Sequence, residues 1–139
     1  MSLKILFGVS GTEECRKAVP SIIKLFGSKD GVMLSLVHVV QETIIVAESG
    51  MVDYASLEQS QEEEAQAIFS EFVSLFKEAG FECQALLRRG NPLDVILEMA
   101  PNFDLLVIGS SESSLLYRIF YSYQNSFVNA SPIPVLVAK

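Results

Sequence analysis

Short apolar runs alternate with amphipathic stretches along this chain, and Gly, Pro and Ser residues punctuate them. Leu3–Val9 (LKILFGV) reads as a strand running into the turn Ser10-Gly11-Thr12. Thr12 suits the N-cap of the next helix, and Glu13 and Glu14 suit the positive end of its dipole. Ala18, Val19, Ile22 and Phe26 then keep helical spacing as far as Gly27. Pro20 falls inside that helix and cannot donate to the carbonyl of Arg16, which predicts a kink or a break. Val32–Val40 (VMLSLVHVV) is nearly all apolar, as a strand buried on both faces should be.

Residues 41–56 follow without clear periodicity. A stretch of that length is long for a loop in a compact domain, and its apolar residues (Ile44, Ile45, Val46, Met51, Val52) predict a lid over a pocket or a contact with a partner chain. Helical spacing returns from about Leu57 to Ala79, with Ile68, Phe72, Leu75, Phe76 and Ala79 on one face and acids on the other. After Gly80, the alternation of Phe81, Cys83, Ala85 and Leu87 with Glu82, Gln84 and Arg88 predicts a half-exposed strand at or near a sheet edge. Gly90-Asn91-Pro92 reads as turn, N-cap and first-position proline of a short helix running to Ala100. Leu105–Ile108 is another buried strand. A Ser-rich loop, Ser110–Ser114, leads to a helix with Leu116, Phe120, Tyr123 and Phe127 on one face. Pro132-Ile133-Pro134 opens a last strand through Ala138, and its prolines place it at an edge.

Strict β/α alternation predicts an α/β fold, an open five-stranded parallel sheet with helices on both faces. The expected core includes Ile5, Phe7, Leu34, Leu36, Ile68, Phe72, Ile96, Val107, Phe120 and Phe127. At 139 residues, with 50% hydrophobic content and no apolar run long enough to span a membrane, the chain fits one domain over residues 1–139.

Net charge is −7, and it is uneven: residues 42–82 carry −9 and the remainder +2. An acidic chain is a poor partner for nucleic acid or an anionic membrane. MSLKILFGVS is too short an apolar stretch for a signal peptide, so the expected location is the cytoplasm, with Cys15 and Cys83 reduced. Two cysteines 68 positions apart cannot supply a four-ligand zinc site, and no metal is expected.

Ligands of open α/β sheets bind outside the carboxyl ends of the strands, near the switch in strand order. Two loops qualify, Gly8–Thr12 after the first strand and Gly109–Ser114 after the fourth. Both feed helix N-termini, whose amides favour anions. No phosphate loop of the GxxxxGK[ST] type, no GxGxxG, no HExxH and no GxSxG elbow is present. His38, the one histidine, lies mid-strand and reads as a core or rim residue; no catalytic residue is assigned.

Over essentially its whole length the chain resembles the universal stress protein family. The resemblance rests on KILFGVSGTEE, LSLVHVV, RRGNPLDVIL, FDLLVIGSSESS and SPIPVLVAK, which match successive strands and turns of that family. It implies a sheet ordered 3-2-1-4-5 with four helices, of the adenine-nucleotide-hydrolase-like type. It also implies a cytoplasmic stress-response role and a homodimer through the last strand, with Val135, Leu136 and Val137 at the contact. Members that bind ATP carry an Asp after strand 1 and a Gly-x2-Gly-x9-Gly-(Ser/Thr) loop. Carried over by position, the nucleotide pocket here comprises Ser10, Val40, Gly109, Ser110, Glu112, Arg118, Ser122 and Tyr123.

The loop is degenerate. Ser10 replaces the Asp, Gly109 retains the first Gly, Glu112 replaces the second, Ser122 the third and Tyr123 the Ser/Thr. The resemblance therefore implies a non-enzymatic member that binds ATP weakly or not at all. Arg118 and Ser110, Ser111, Ser113 and Ser114 leave room for a smaller anion. The alternative is a member that binds ATP or AMP. Two less favoured readings are a pyrophosphatase-loop enzyme and an interaction module acting through the acidic 42–82 face. In the first, Ser10-Gly11 begins a Ser-Gly-Gly-x-Asp-Ser loop whose second Gly, Asp and Ser are missing.

Overall fold

In the computed structural model, residues 2–27, 30–40, 54–109 and 127–139 are described. Five strands, β1 (Leu3–Gly8), β2 (Val32–Val40), β3 (Glu82–Arg89), β4 (Leu105–Gly109) and β5 (Val135–Ala138), form one parallel sheet in the order β3-β2-β1-β4-β5. Helices α1 (Glu13–Phe26), α2 (Tyr54–Glu78) and α3 (Pro92–Met99) join them, with a 3-10 turn at Ala100–Asn102. Residues 127–130 are also helical, α4. Such a strand sequence requires crossovers, and the helices cover both faces of the sheet.

Register explains why β1 is apolar at successive positions. Ile5 lies between Leu34 and Leu105, and Phe7 between Leu36 and Val107, on one face. Leu6 lies beside Leu106 on the other. All three β1 side chains are fully buried. The first face meets α1 and α2 through Ala18, Ile22, Ile68, Phe69, Phe72 and Phe76. Phe72 and Phe76 each stand edge-on to Phe7, with ring centroids 6.1 Å apart. The second face packs Leu6, Val37, Leu106 and Ile108 against Ile96 of α3 and Phe127 of α4. Each such side chain contributes about 1.5–3 kcal/mol on burial. Every expected core residue within the described segments is buried; Phe120 lies outside them.

Four local expectations need correction. Helix α1 runs unbroken through Pro20. Pro20 is exposed, so the Arg16 carbonyl that loses its donor lies on the solvent side of the helix, where water can serve it. Leu75 is 38% exposed rather than core, because the buried stripe of α2 follows Ala65, Ile68, Phe69, Phe72 and Phe76. Ala85 shares a face with Cys83 and Leu87 but is exposed at the outer edge of β3. The last strand starts at Val135 rather than at Pro132. Pro134 still serves the ladder with its carbonyl, which accepts from the Leu106 N–H at 3.0 Å.

The β3–α3 connection depends on glycine. Gly90 has φ +133°, and a Cβ there would meet Val95 Cγ2 at 3.2 Å. Its N–H donates to the Val40 carbonyl at 3.0 Å, joining the ends of β3 and β2. Asn91 Oδ1 then accepts from the Asp94 N–H, and Pro92 occupies the first turn of α3.

Two predictions follow from this packing. Ile5→Asp or Val107→Asp places an unpaired charge in the core, a cost of several kcal/mol, and abolishes the cooperative thermal transition followed by circular dichroism. Gly90→Ala forces a side chain into a backbone region that L-residues avoid, at a cost of about 1–3 kcal/mol. It lowers the denaturation midpoint without changing the far-ultraviolet spectrum of the native state.

Candidate functional site

The reversal of strand order lies between β1 and β4, where crossovers leave in opposite directions. Gly8 is paired with Val37 on one side and Ile108 on the other. Ser10 and Gly109 therefore emerge from adjoining strand ends at the switch point. Val40, buried, marks the end of β2, and Gly109, half-buried, the end of β4. Three of the expected pocket residues thus share the carboxyl edge of the sheet. Ser110, Glu112, Arg118, Ser122 and Tyr123 lie outside the described residues, as does the 41–53 part of the expected lid.

The turn from β1 into α1 is held by its own side chains. Thr12, with extended backbone (φ −92°, ψ 153°), is the N-cap of α1, and its hydroxyl accepts from the Cys15 N–H at 3.3 Å. Its carbonyl accepts from the Arg16 N–H at 3.2 Å. The Ser10 and Thr12 hydroxyls share a hydrogen bond of 2.9 Å. The Ser10 N–H donates to Cys15 Sγ at 3.4 Å, and that thiol donates to the Gly8 carbonyl at 3.6 Å. Ser10 thus uses its amide and one hydrogen bond of its hydroxyl within the turn. Glu13 stands in the first turn of α1, a position that suits a carboxylate, and pairs with Arg16 at 3.7 Å.

The neighbouring walls are also occupied. Val9 donates its N–H to the Val37 carbonyl at 2.8 Å, and its own carbonyl lies 2.9 Å from His38 Nδ1. The His38 ring is edge-on to Phe69 of α2, with centroids 6.3 Å apart. The Val40 carbonyl accepts from Gly90. On the surface of α2, Glu71 pairs with Arg16 at 2.6 Å and Glu62 with Arg89 at 3.5 Å. These exposed pairs fasten α2 to α1 and to the end of β3, each worth at most about 1 kcal/mol. Cys83, on the outer strand, is half-buried, and desolvation pushes its thiol up to about 11, so it stays protonated at neutral pH.

Sequence reasoning placed His38 in the core or rim, which the structure bears out, but it missed the bond to Val9. A histidine near the carboxyl end of a nearly all-apolar strand is the available signal. Cys15 is buried and also bonded into the turn, a role that composition alone does not report. Its position three residues after the cap, where a side chain leans back over the turn, was the clue to its role.

The universal stress protein family model matches residues 1–139. A universal stress protein from Helicobacter pylori is 47% identical over 137 residues, which span 99% of this chain and all of that protein. Among solved structures, a universal stress protein from Lactobacillus plantarum superimposes with a TM-score of 0.77 at 17% identity, covering 99% of this chain and 97% of that one. A family protein from Arabidopsis thaliana with AMP bound gives a TM-score of 0.72 at 22% identity, covering 99% of this chain and 91% of that one. Sheet order, the Gly-Asn-Pro turn and these similarities agree: the chain belongs to the universal stress protein family.

Proposed function

We propose that this chain is a cytoplasmic stress-response protein that catalyses no reaction and whose nucleotide crevice binds ATP weakly or not at all. The observation that carries this reading is the β1–α1 turn. Ser10 stands where ATP-binding members have Asp, and its amide and hydroxyl are taken up by Cys15 and Thr12. Glu112 adds to it from the sequence, since it replaces a glycine whose backbone should approach phosphate closely. Two unit charges ~4 Å apart at a screened dielectric repel by about 4 kcal/mol. That corresponds to roughly a thousandfold in affinity. Arg118 and the serines of the 110–114 loop would still suit a small anion. The net charge of −7 supports a role away from nucleic acid and anionic membranes.

One observation favours a second reading, in which the crevice takes AMP. Gly109 is retained at the end of β4, and the Arabidopsis relative of the same fold holds AMP. AMP carries less charge than ATP and needs fewer phosphate amides.

The reading includes a homodimer through β5. Val135, Leu136 and Val137 are half-buried on a strand that, among the described residues, is paired on one side only, with β4. Among the described residues its other edge carries backbone groups with no strand partner, which a second copy would pair.

Calorimetry checks the pocket. Mg-ATP is expected to give no saturable heat at ligand concentrations of about 100 µM, a range that captures micromolar affinities; a dissociation constant at or below ~10 µM would overturn the reading. AMP titrated alongside separates the second reading from the first. The double variant Glu112→Gly with Ser122→Gly is expected to bind Mg-ATP more tightly than the parent. Sedimentation equilibrium at ~100 µM, well above a typical micromolar dimer constant, is expected to show a dimer, and Leu136→Asp a monomer.

A further inference from the structure

We propose that His38 is the positioning residue of the β1–α1 turn, holding the Val9–Ser10 peptide group so that its N–H is committed to Cys15. A carbonyl oxygen only accepts, so the 2.9 Å approach of His38 Nδ1 to the Val9 carbonyl places a proton on Nδ1. This is the less usual neutral tautomer, selected here by its partner. The same Nδ1–H is present in the imidazolium, so the bond does not depend on the state of Nε2. Val9 has already left the β1 ladder, yet its N–H still reaches the Val37 carbonyl at 2.8 Å. The next connection to β2 comes from the imidazole of His38 rather than from another backbone amide. A side chain is longer than a backbone rung, and β1 can turn away from β2 at this point without leaving a buried carbonyl unsatisfied.

The consequence passes through one rigid unit. The Val9 carbonyl and the Ser10 N–H belong to the same planar peptide group and point in opposite directions. His38 of β2 holds the oxygen end, and the Cys15 sulfur of α1 holds the nitrogen end at 3.4 Å. With both ends held, the plane cannot rotate to present the Ser10 amide elsewhere. The edge-on contact with Phe69 orients the imidazole, so α2 contributes to the same grip. Val9 itself is 4% exposed, so its carbonyl has little access to bulk water while the imidazole is in place. This role does not depend on whether the crevice binds a nucleotide, and its test uses the full chain without ligand.

The test compares His38→Leu, which keeps bulk but has no donor, with His38→Asn. The asparagine amide nitrogen lies the same number of bonds from Cβ as imidazole Nδ1. Nitrogen-15 spectra of the wild-type ring should show Nδ1 protonated and Nε2 bare at a pH where the ring is neutral. Amide exchange at Ser10 should accelerate by about tenfold or more in His38→Leu, the scale of one lost hydrogen bond. The Ile5, Phe7 and Leu36 amides should keep their rates, and His38→Asn should restore slow exchange at Ser10. A ring protonated at Nε2 alone, unchanged Ser10 exchange in His38→Leu, or an asparagine variant as fast as the leucine one would overturn the proposal. Should His38→Leu fail to fold, the wild-type tautomer and the Ser10 rate in His38→Asn still decide it.

Discussion

The insertion of β1 between β2 and β4 is the constraint on which the rest of the structure depends. Ile5 and Phe7 on one face and Leu6 on the other are fully buried, so both faces of the sheet take their core from this one strand. A strand so placed must be paired along both edges, and the chain must leave it for α1 between two neighbours whose connections diverge. The crevice at the carboxyl edge follows from that topology, whichever residues line it. What this sequence contributes is the turn that fills the β1 exit.

That turn closes on itself. Ser10, Thr12 and Cys15 exchange hydrogen bonds, His38 and Val37 hold Val9 from β2, and Gly90 holds the Val40 carbonyl from β3. Among the described residues at the switch point, the Ser10 amide is bonded to Cys15 and its hydroxyl to Thr12, and Glu13 in the first turn of α1 pairs with Arg16. These bonds support the proposal that the crevice binds ATP weakly or not at all.

Much of this was legible in the sequence, because apolar period and turn residues report the elements that topology must connect. The five strands, the edge positions of β3 and β5 and the buried face of α2 around Ile68, Phe72 and Phe76 all follow from such patterns. Errors came where a local rule met a tertiary circumstance. Pro20 breaks nothing because it faces water, and Leu75 is exposed because a helical stripe is narrower than the apolar residues that keep its spacing. The bond from His38 to Val9 joins residues 29 positions apart, and no spacing rule within one element reports it. Position-by-position likeness to the family named the site residues, whereas the hydrogen bonding of the turn came only from the fold.

The central claim, that the β1–α1 turn is committed to its own contacts and offers no cradle for a triphosphate, is tested most directly at its amides. Nitrogen–proton correlation spectra recorded across a titration with Mg-ATP report on Ser10, Gly11, Thr12 and Cys15 individually. The account predicts that these resonances show no saturation at ligand concentrations of about 100 µM, a range that captures micromolar affinities. Saturable shifts at Ser10 and Gly11, with the Ser10 amide released from the Cys15 sulfur, would contradict it.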